Sequence, residues 1–126
     1  MRWEDNTNTD LDLHCYFDCD TDKHIYYGNK ELEIDENNKA WLNYDYTSHG
    51  SEGRHTEPEM ISILGMKKHT SNIYVTNFSA GNINENVTID IFKRENNEDI
   101  KANTIIIQPS EISGQKSLYI GNIKNG

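Results

Sequence analysis

Proline and cysteine occur only twice each in 126 residues, and 12 Lys plus Arg face 21 Asp plus Glu. The resulting formal charge of −9 argues against nucleic acid as a partner, because phosphate binding relies on Lys and Arg. Basic residues adjoin only at Lys67-Lys68 and Lys93-Arg94. No apolar run approaches the roughly 20 residues of a membrane-spanning helix, so no membrane association is expected. Met1 is followed at once by Arg2-Trp3-Glu4, so no signal peptide is expected in this chain, which either acts in the cell that makes it or is a piece of a larger protein. The expected location is therefore the cytoplasm or a virion. Cys15 and Cys19 cannot make a disulfide scaffold. A bridge between them would close a very short loop and bend a strand end, so reduced thiols are expected. No window of eleven or more residues carries a helical period.

The 34% hydrophobic residues allow a modest core, and the length fits one domain spanning 1–126. Aromatic and β-branched residues are plentiful and well spaced, unlike those of a disordered chain. Asn is over-used, and Lys and Ile are preferred over Arg and Pro. That bias fits the AT-rich genome of a low-GC bacterium or its phage. An acidic surface suits solubility, divalent cations or a basic protein partner.

The segment Trp3 to Lys30 holds the concentrated chemistry. An acidic, amide-rich loop leads into alternation: Leu11, Leu13, Cys15 and Phe17 on one side, Asp12, His14, Tyr16 and Asp18 on the other. Period two means a strand with one buried face. An acidic turn then leads to a second strand, His24 to Tyr27, which stops at Gly28-Asn29. Further strands are expected around Leu32 to Ile34, Trp41 to Tyr46, Met60 to Leu64, Ile73 to Phe78, Val87 to Phe92, Thr104 to Gln108 and Leu118 to Ile123. Polar turns separate them, and the longest loop runs from Thr47 to Pro58. Trp3 and Trp41 read as core. Lys30 to Asp35, short and charged, reads as an edge strand protected against further pairing. Short strands at regular spacing give an all-β, antiparallel β-sandwich of jelly-roll or Greek-key type with about 8–9 strands.

Carboxylates and an imidazole gather where the first strand begins. Asp10, Asp12 and Glu59, with Asp35 as a further oxygen donor, form a candidate site for a calcium-type ion, which takes carboxylate and carbonyl oxygens. The competing reading has Asp10 capping a turn, with Asp12 and His14 bonding locally. His14 is expected to hold Asp12 or a loop carbonyl rather than the ion. Zinc is disfavoured, because His14 and Cys15 are adjacent on a strand and point to opposite faces. A metal-dependent hydrolase built on Asp12, His14 and Glu59 lacks any supporting motif. The Ser48, Ser51, His49 and His55 loop reads as solvated. Tyr16, Tyr26, Tyr27, Trp41, Tyr44 and Tyr46 could make a carbohydrate platform or ordinary cross-strand pairs. His14, Tyr26 and Tyr27 are the candidate ligand-binding residues.

The order of Trp3, Asp10-Leu11-Asp12-Leu13-His14, His24 to Lys30, Glu31 to Asp35, Glu57 to Ile61 and Ile73 to Phe78 resembles the small β-sandwich domain of the YfaP-like group of bacteria and phages. The likeness covers roughly residues 2–92. Met60 departs from it, standing where that group's PENI-type motif has asparagine. A looser likeness is to TerD-type tellurium-resistance domains, calcium-binding sandwiches whose long acidic loop is missing here. Both resemblances imply a non-enzymatic sandwich. The expectation is thus an interaction or structural module without enzymatic activity, stiffened by Ca2+, that contacts a protein or, alternatively, a glycan.

Overall fold

The structure, a computed structural model, describes residues 1–3, 10–18, 20–44, 59–78, 81–114 and 117–124. The whole of the longest loop, with Ser48, His49, Ser51 and His55, lies outside these residues, as do Cys19 and Tyr46. The described chain is nearly all β. Nine strands follow in order: β1 (Leu11–Phe17), β2 (His24–Ile25), β3 (Glu31–Asp35), β4 (Asn38–Tyr44), β5 (Met60–Leu64), β6 (Thr70–Asn77), β7 (Val87–Glu95), β8 (Glu98–Ile107) and β9 (Ser117–Lys124). One short helix, α1 (Pro109–Ile112), precedes β9.

The strands form three antiparallel sheets, ordered β2-β1-β6-β9, β3-β4-β5 and β7-β8. Along the β1–β6 ladder Leu11 pairs with Asn77, Leu13 with Val75, and Cys15 with Ile73. The expected alternation of β1 holds. Leu11, Cys15 and Phe17 are fully buried and Leu13 nearly so. This inner face covers both smaller sheets. Leu11, Leu13 and Val75 pack with Val87, Ile89 and Ile107 of the β7-β8 ribbon, along with Met1, Trp3, Ile83 and Ile112. Cys15, Phe17 and Ile25 pack with Ala40, Leu42 and Met66. The result is sandwich-like: a four-stranded layer opposes a layer split into three strands and two. Each fully buried Leu, Ile or Phe in it contributes about 1.5–3 kcal/mol relative to exposure.

Three sequence expectations need correction. Trp41 is half-buried rather than core, because Ala40 and Leu42, its neighbours along β4, take the inward positions. The polar segment expected between Phe92 and Thr104 shrinks to a two-residue turn, Asn96-Asn97, because β7 runs on to Glu95 and β8 begins at Glu98. Both residues have positive φ, 50° and 63°, the geometry of a two-residue hairpin turn matched to strand twist. Finally, one helical turn does form at Pro109–Ile112. Pro109 starts it, and Glu111 accepts the Gln108 N–H at 3.0 Å. A single turn is too short to show a period. The Asn77 side-chain amide, buried at the end of β6, donates to the carbonyls of Gly81 and Ile112 and fastens this turn to the sheet. β3 pairs only with β4 and is an edge strand, as its charge suggested.

Candidate functional site

The outer face of the four-stranded sheet collects the side chains that the core rejects. Alternation along β1 turns Asp12, His14 and Tyr16 outward. The antiparallel register sets Thr76, Tyr74 and Asn72 of β6 directly opposite them, in that order. β9 adds Ser117 beside Thr76 and Tyr119 beside Tyr74, and β2 sets His24 beside Tyr16.

The β1–β2 turn is closed by backbone bonds between Phe17 and Lys23 and between Lys23 and Asp20. Beyond β2, Tyr26 and Asn29 exchange backbone hydrogen bonds, and the Asn29 side chain donates to the His24 carbonyl at 2.8 Å. Gly28 is required here. A Cβ on it would lie 2.6 Å from the Tyr26 ring, so any side chain would push that ring off its stack.

The rings form a layered group. His24 lies between Tyr16, 3.8 Å away centroid to centroid at 10°, and Tyr26, 4.0 Å away at 5°. Tyr74 meets Tyr16 at 82° and leans on Tyr119. Tyr27, 42% exposed, packs edge-on between Tyr26 and Phe78. His14 Nδ1 and His24 Nε2 are 2.8 Å apart. Their 5.0 Å centroid separation is what two imidazoles reach when joined nitrogen to nitrogen, so they share one proton edge to edge. Burial lowers the His14 pKa, and burial with the facing His14 pushes His24 down to about 4. Both rings are neutral at pH 7. Burial and the neighbouring Tyr26 and Tyr74 hydroxyls raise the Tyr16 pKa. His14 Nε2, on the side away from His24, is buried with no hydrogen-bond partner among the described residues. A cleft of ≈ 380 Å³ opens here, bounded by His14, Tyr16, Thr21 and the outward side chains of β6 and β9.

The expected site residues divide between this face and its margins. His14, Tyr26 and Tyr27 come together on it. His14 holds His24, however, and not Asp12 or a loop carbonyl, because the short β1–β2 turn brings the second imidazole into line. Asp12 shares the outward side of β1 but is buried, 3% exposed. Glu59, 1% exposed, lies at the neighbouring edge of β1, where its Oε1 accepts the Leu13 N–H at 2.8 Å. Its backbone N–H donates to the Met1 carbonyl. The Asp10 carbonyl accepts the Phe78 N–H.

Asp35 stands apart from these three. It is exposed at the β3–β4 turn, where it accepts the Asn37 N–H and the Asn38 side-chain amide, which lower its pKa. Asn38 lies at the Leu64 end of β5, while Glu59 precedes the Met60 end. About five residues of strand, roughly 16 Å, separate the two ends. The four proposed ligands therefore do not converge. Among the described residues, no three His, Cys, Asp or Glu side chains are grouped to hold a metal ion. The collinear nitrogens of His14 and His24 would have to part before admitting one. Cys15, on the opposite face, is a free, buried thiol whose pKa burial pushes up to about 12.

Sequence reasoning missed Asn72, Tyr74, Thr76, Ser117 and Tyr119. Tyr74 and Thr76 do lie within the strand expected over Ile73 to Phe78, two residues apart and so on one side of it. What sequence reasoning lacked was the pairing of β6 with β1 and β9, which no local pattern encodes. Comparison with protein-family models, curated proteins and solved structures finds no match to this chain. Among the described residues no helix is long and apolar enough to cross a membrane.

Proposed function

We propose that this chain is a non-enzymatic interaction module of the YfaP-like kind, from a low-GC bacterium or phage. Its recognition surface is the outer face of β2-β1-β6-β9. One observation carries the reading: Tyr16, His24 and Tyr26 stack in parallel on a sheet face turned away from the core, beside a cleft of ≈ 380 Å³. Ordinary solvated sheet faces carry alternating charged and short polar side chains, whereas aromatic clusters with a few polar groups mark binding sites. The stack also holds its rings in place before any ligand arrives, which limits the entropy lost on binding.

The test is selection of ligands from glycan arrays and peptide libraries, with Tyr26→Ala screened in parallel. Ligands that bind the wild type and lose at least tenfold in affinity to Tyr26→Ala support the reading. Ligands indifferent to Tyr26→Ala count against it.

A second reading, a calcium-type ion at the start of β1, is supported by the burial of Asp12 and Glu59 on adjoining segments. Like charges shielded from water repel, and a cation would relieve that repulsion and stabilise the fold by mass action. The melting temperature should then rise with calcium and fall back with chelator, and Asp12→Asn should blunt the response. Identical melting curves with calcium and with chelator would leave both carboxylates as structural groups, with Glu59 capping the free edge of β1.

A further inference from the structure

The cleft beside His14 has a consistent chemical character. Among the described residues that line it there is no carboxylate, ammonium or guanidinium. An anionic or cationic ligand would find no opposite charge to offset its desolvation. Its short polar groups are neutral: the Asn72 amide and the hydroxyls of Thr21, Thr76 and Ser117, the last two 3.2 Å apart. Three hydroxyls and an amide supply donors and acceptors together. Its apolar walls are Tyr16 and Tyr74, which meet at 82° and so form an aromatic corner. At ≈ 380 Å³ the space lies at the small end of ligand sites, which run from about 300 to 1,000 Å³.

We propose that this cleft binds a neutral saccharide, one or two rings in length. This inference rests on the reading of the outer face as a binding surface. A sugar ring has apolar C–H faces that pack on a tyrosine and equatorial hydroxyls that both donate and accept. The cleft is lined by both kinds of partner, tyrosine rings and neutral hydrogen-bonding side chains. Asn72 already donates to the Tyr16 carbonyl and Thr76 to Ser117, both at 3.2 Å; an aromatic or aliphatic peptide side chain would fill the corner but leave the remaining donors and acceptors of these groups desolvated.

The experiment is an amide-resolved NMR titration of the whole chain with maltose, cellobiose, lactose and diacetylchitobiose, and with glucuronate as the charged control. At least one neutral disaccharide should bind with a millimolar or tighter Kd and shift the amides of His14, Asn72, Tyr74 and Ser117. Glucuronate should bind at least tenfold more weakly. Tyr74→Ala should weaken binding at least tenfold. Thr76→Val, which keeps the β-branched shape and only replaces the hydroxyl, should weaken it severalfold while leaving the fold intact. The inference is overturned if no neutral saccharide shifts these amides. It is also overturned if glucuronate binds as well as the neutral sugars, or if Thr76→Val and Tyr74→Ala bind like the wild type. If a selected peptide shifts the same amides while no saccharide does, the saccharide assignment falls and the binding face stands. If every ligand shifts amides elsewhere, both fall.

Discussion

Phe17→Ala is expected to lower the unfolding free energy by about 3–5 kcal/mol, the usual cost of removing a buried phenylalanine ring and leaving a cavity. Phe17 is fully buried, at the end of β1 and in contact with the core under β4 and β5. Its neighbour Tyr16 points the other way, so Tyr16→Ala should cost only about 1–2 kcal/mol. That loss comes from the His24 stack and the Tyr74 edge contact. The same change should nevertheless remove most ligand binding. One residue step along β1 thus separates a stability position from a recognition position. Urea denaturation of the two variants, with ligand titration of Tyr16→Ala, measures both halves. A Tyr16→Ala loss as large as that of Phe17→Ala would mean that the outer face is core in disguise.

The second large effect is acid sensitivity centred on the imidazole pair. The unfolded pKa of histidine is about 6.5, while that of His24 in the fold lies near 4 and that of His14 is also lowered. The folded state therefore binds protons less readily than the unfolded one. The stability these neutral rings share is fully present above pH 6.5 and is lost as pH falls from 6.5 toward 4. Below pH 4 a separate loss follows. Asp18, Asp35, Asp90 and Asp99, each lowered by hydrogen bonds or ion pairs, then begin to protonate. His24→Gln keeps a planar polar side chain but does not titrate. Its denaturation midpoint should fall less than that of the wild type between pH 6.5 and 4.5 and in parallel with it below pH 4. Identical pH profiles would show that the pair carries no such linkage.

The relation between sequence and structure follows the range of the interactions involved. Period-two alternation fixed the inner face of β1, and Met60–Leu64 was legible to the residue, because each needs only neighbouring residues. The Asn96-Asn97 hairpin was less legible. Its strands are polar and mostly exposed along their far halves, so no hydrophobic pattern marks their true length. Trp41 was misplaced because hydrophobicity alone suggested core, whereas the parity set by Ala40 and Leu42 decided the matter. In the site, His14, Tyr26 and Tyr27 were visible as unusual residues on or near an outward face. Their partners Asn72, Tyr74 and Thr76 lie some sixty residues away in β6, and only the sheet order brings them together. The carboxylate grouping failed at Asp35 for the same reason. Composition shows which charges exist, but the β4–β5 ladder sets Asp35 and Glu59 at opposite ends.

Recognition on the proposed aromatic–imidazole face is to be told apart from binding on another exposed apolar patch. Phe92 of β7 offers the sharpest comparison, since it is 54% exposed and lies in the separate β7-β8 ribbon. The decisive measurement is the Kd of one selected ligand for the wild type, Tyr16→Ala and Phe92→Ala. Tyr16→Ala should lose at least tenfold in affinity, and Phe92→Ala should bind as the wild type does. An unchanged Kd for Tyr16→Ala with a tenfold loss for Phe92→Ala would contradict recognition on the aromatic–imidazole face.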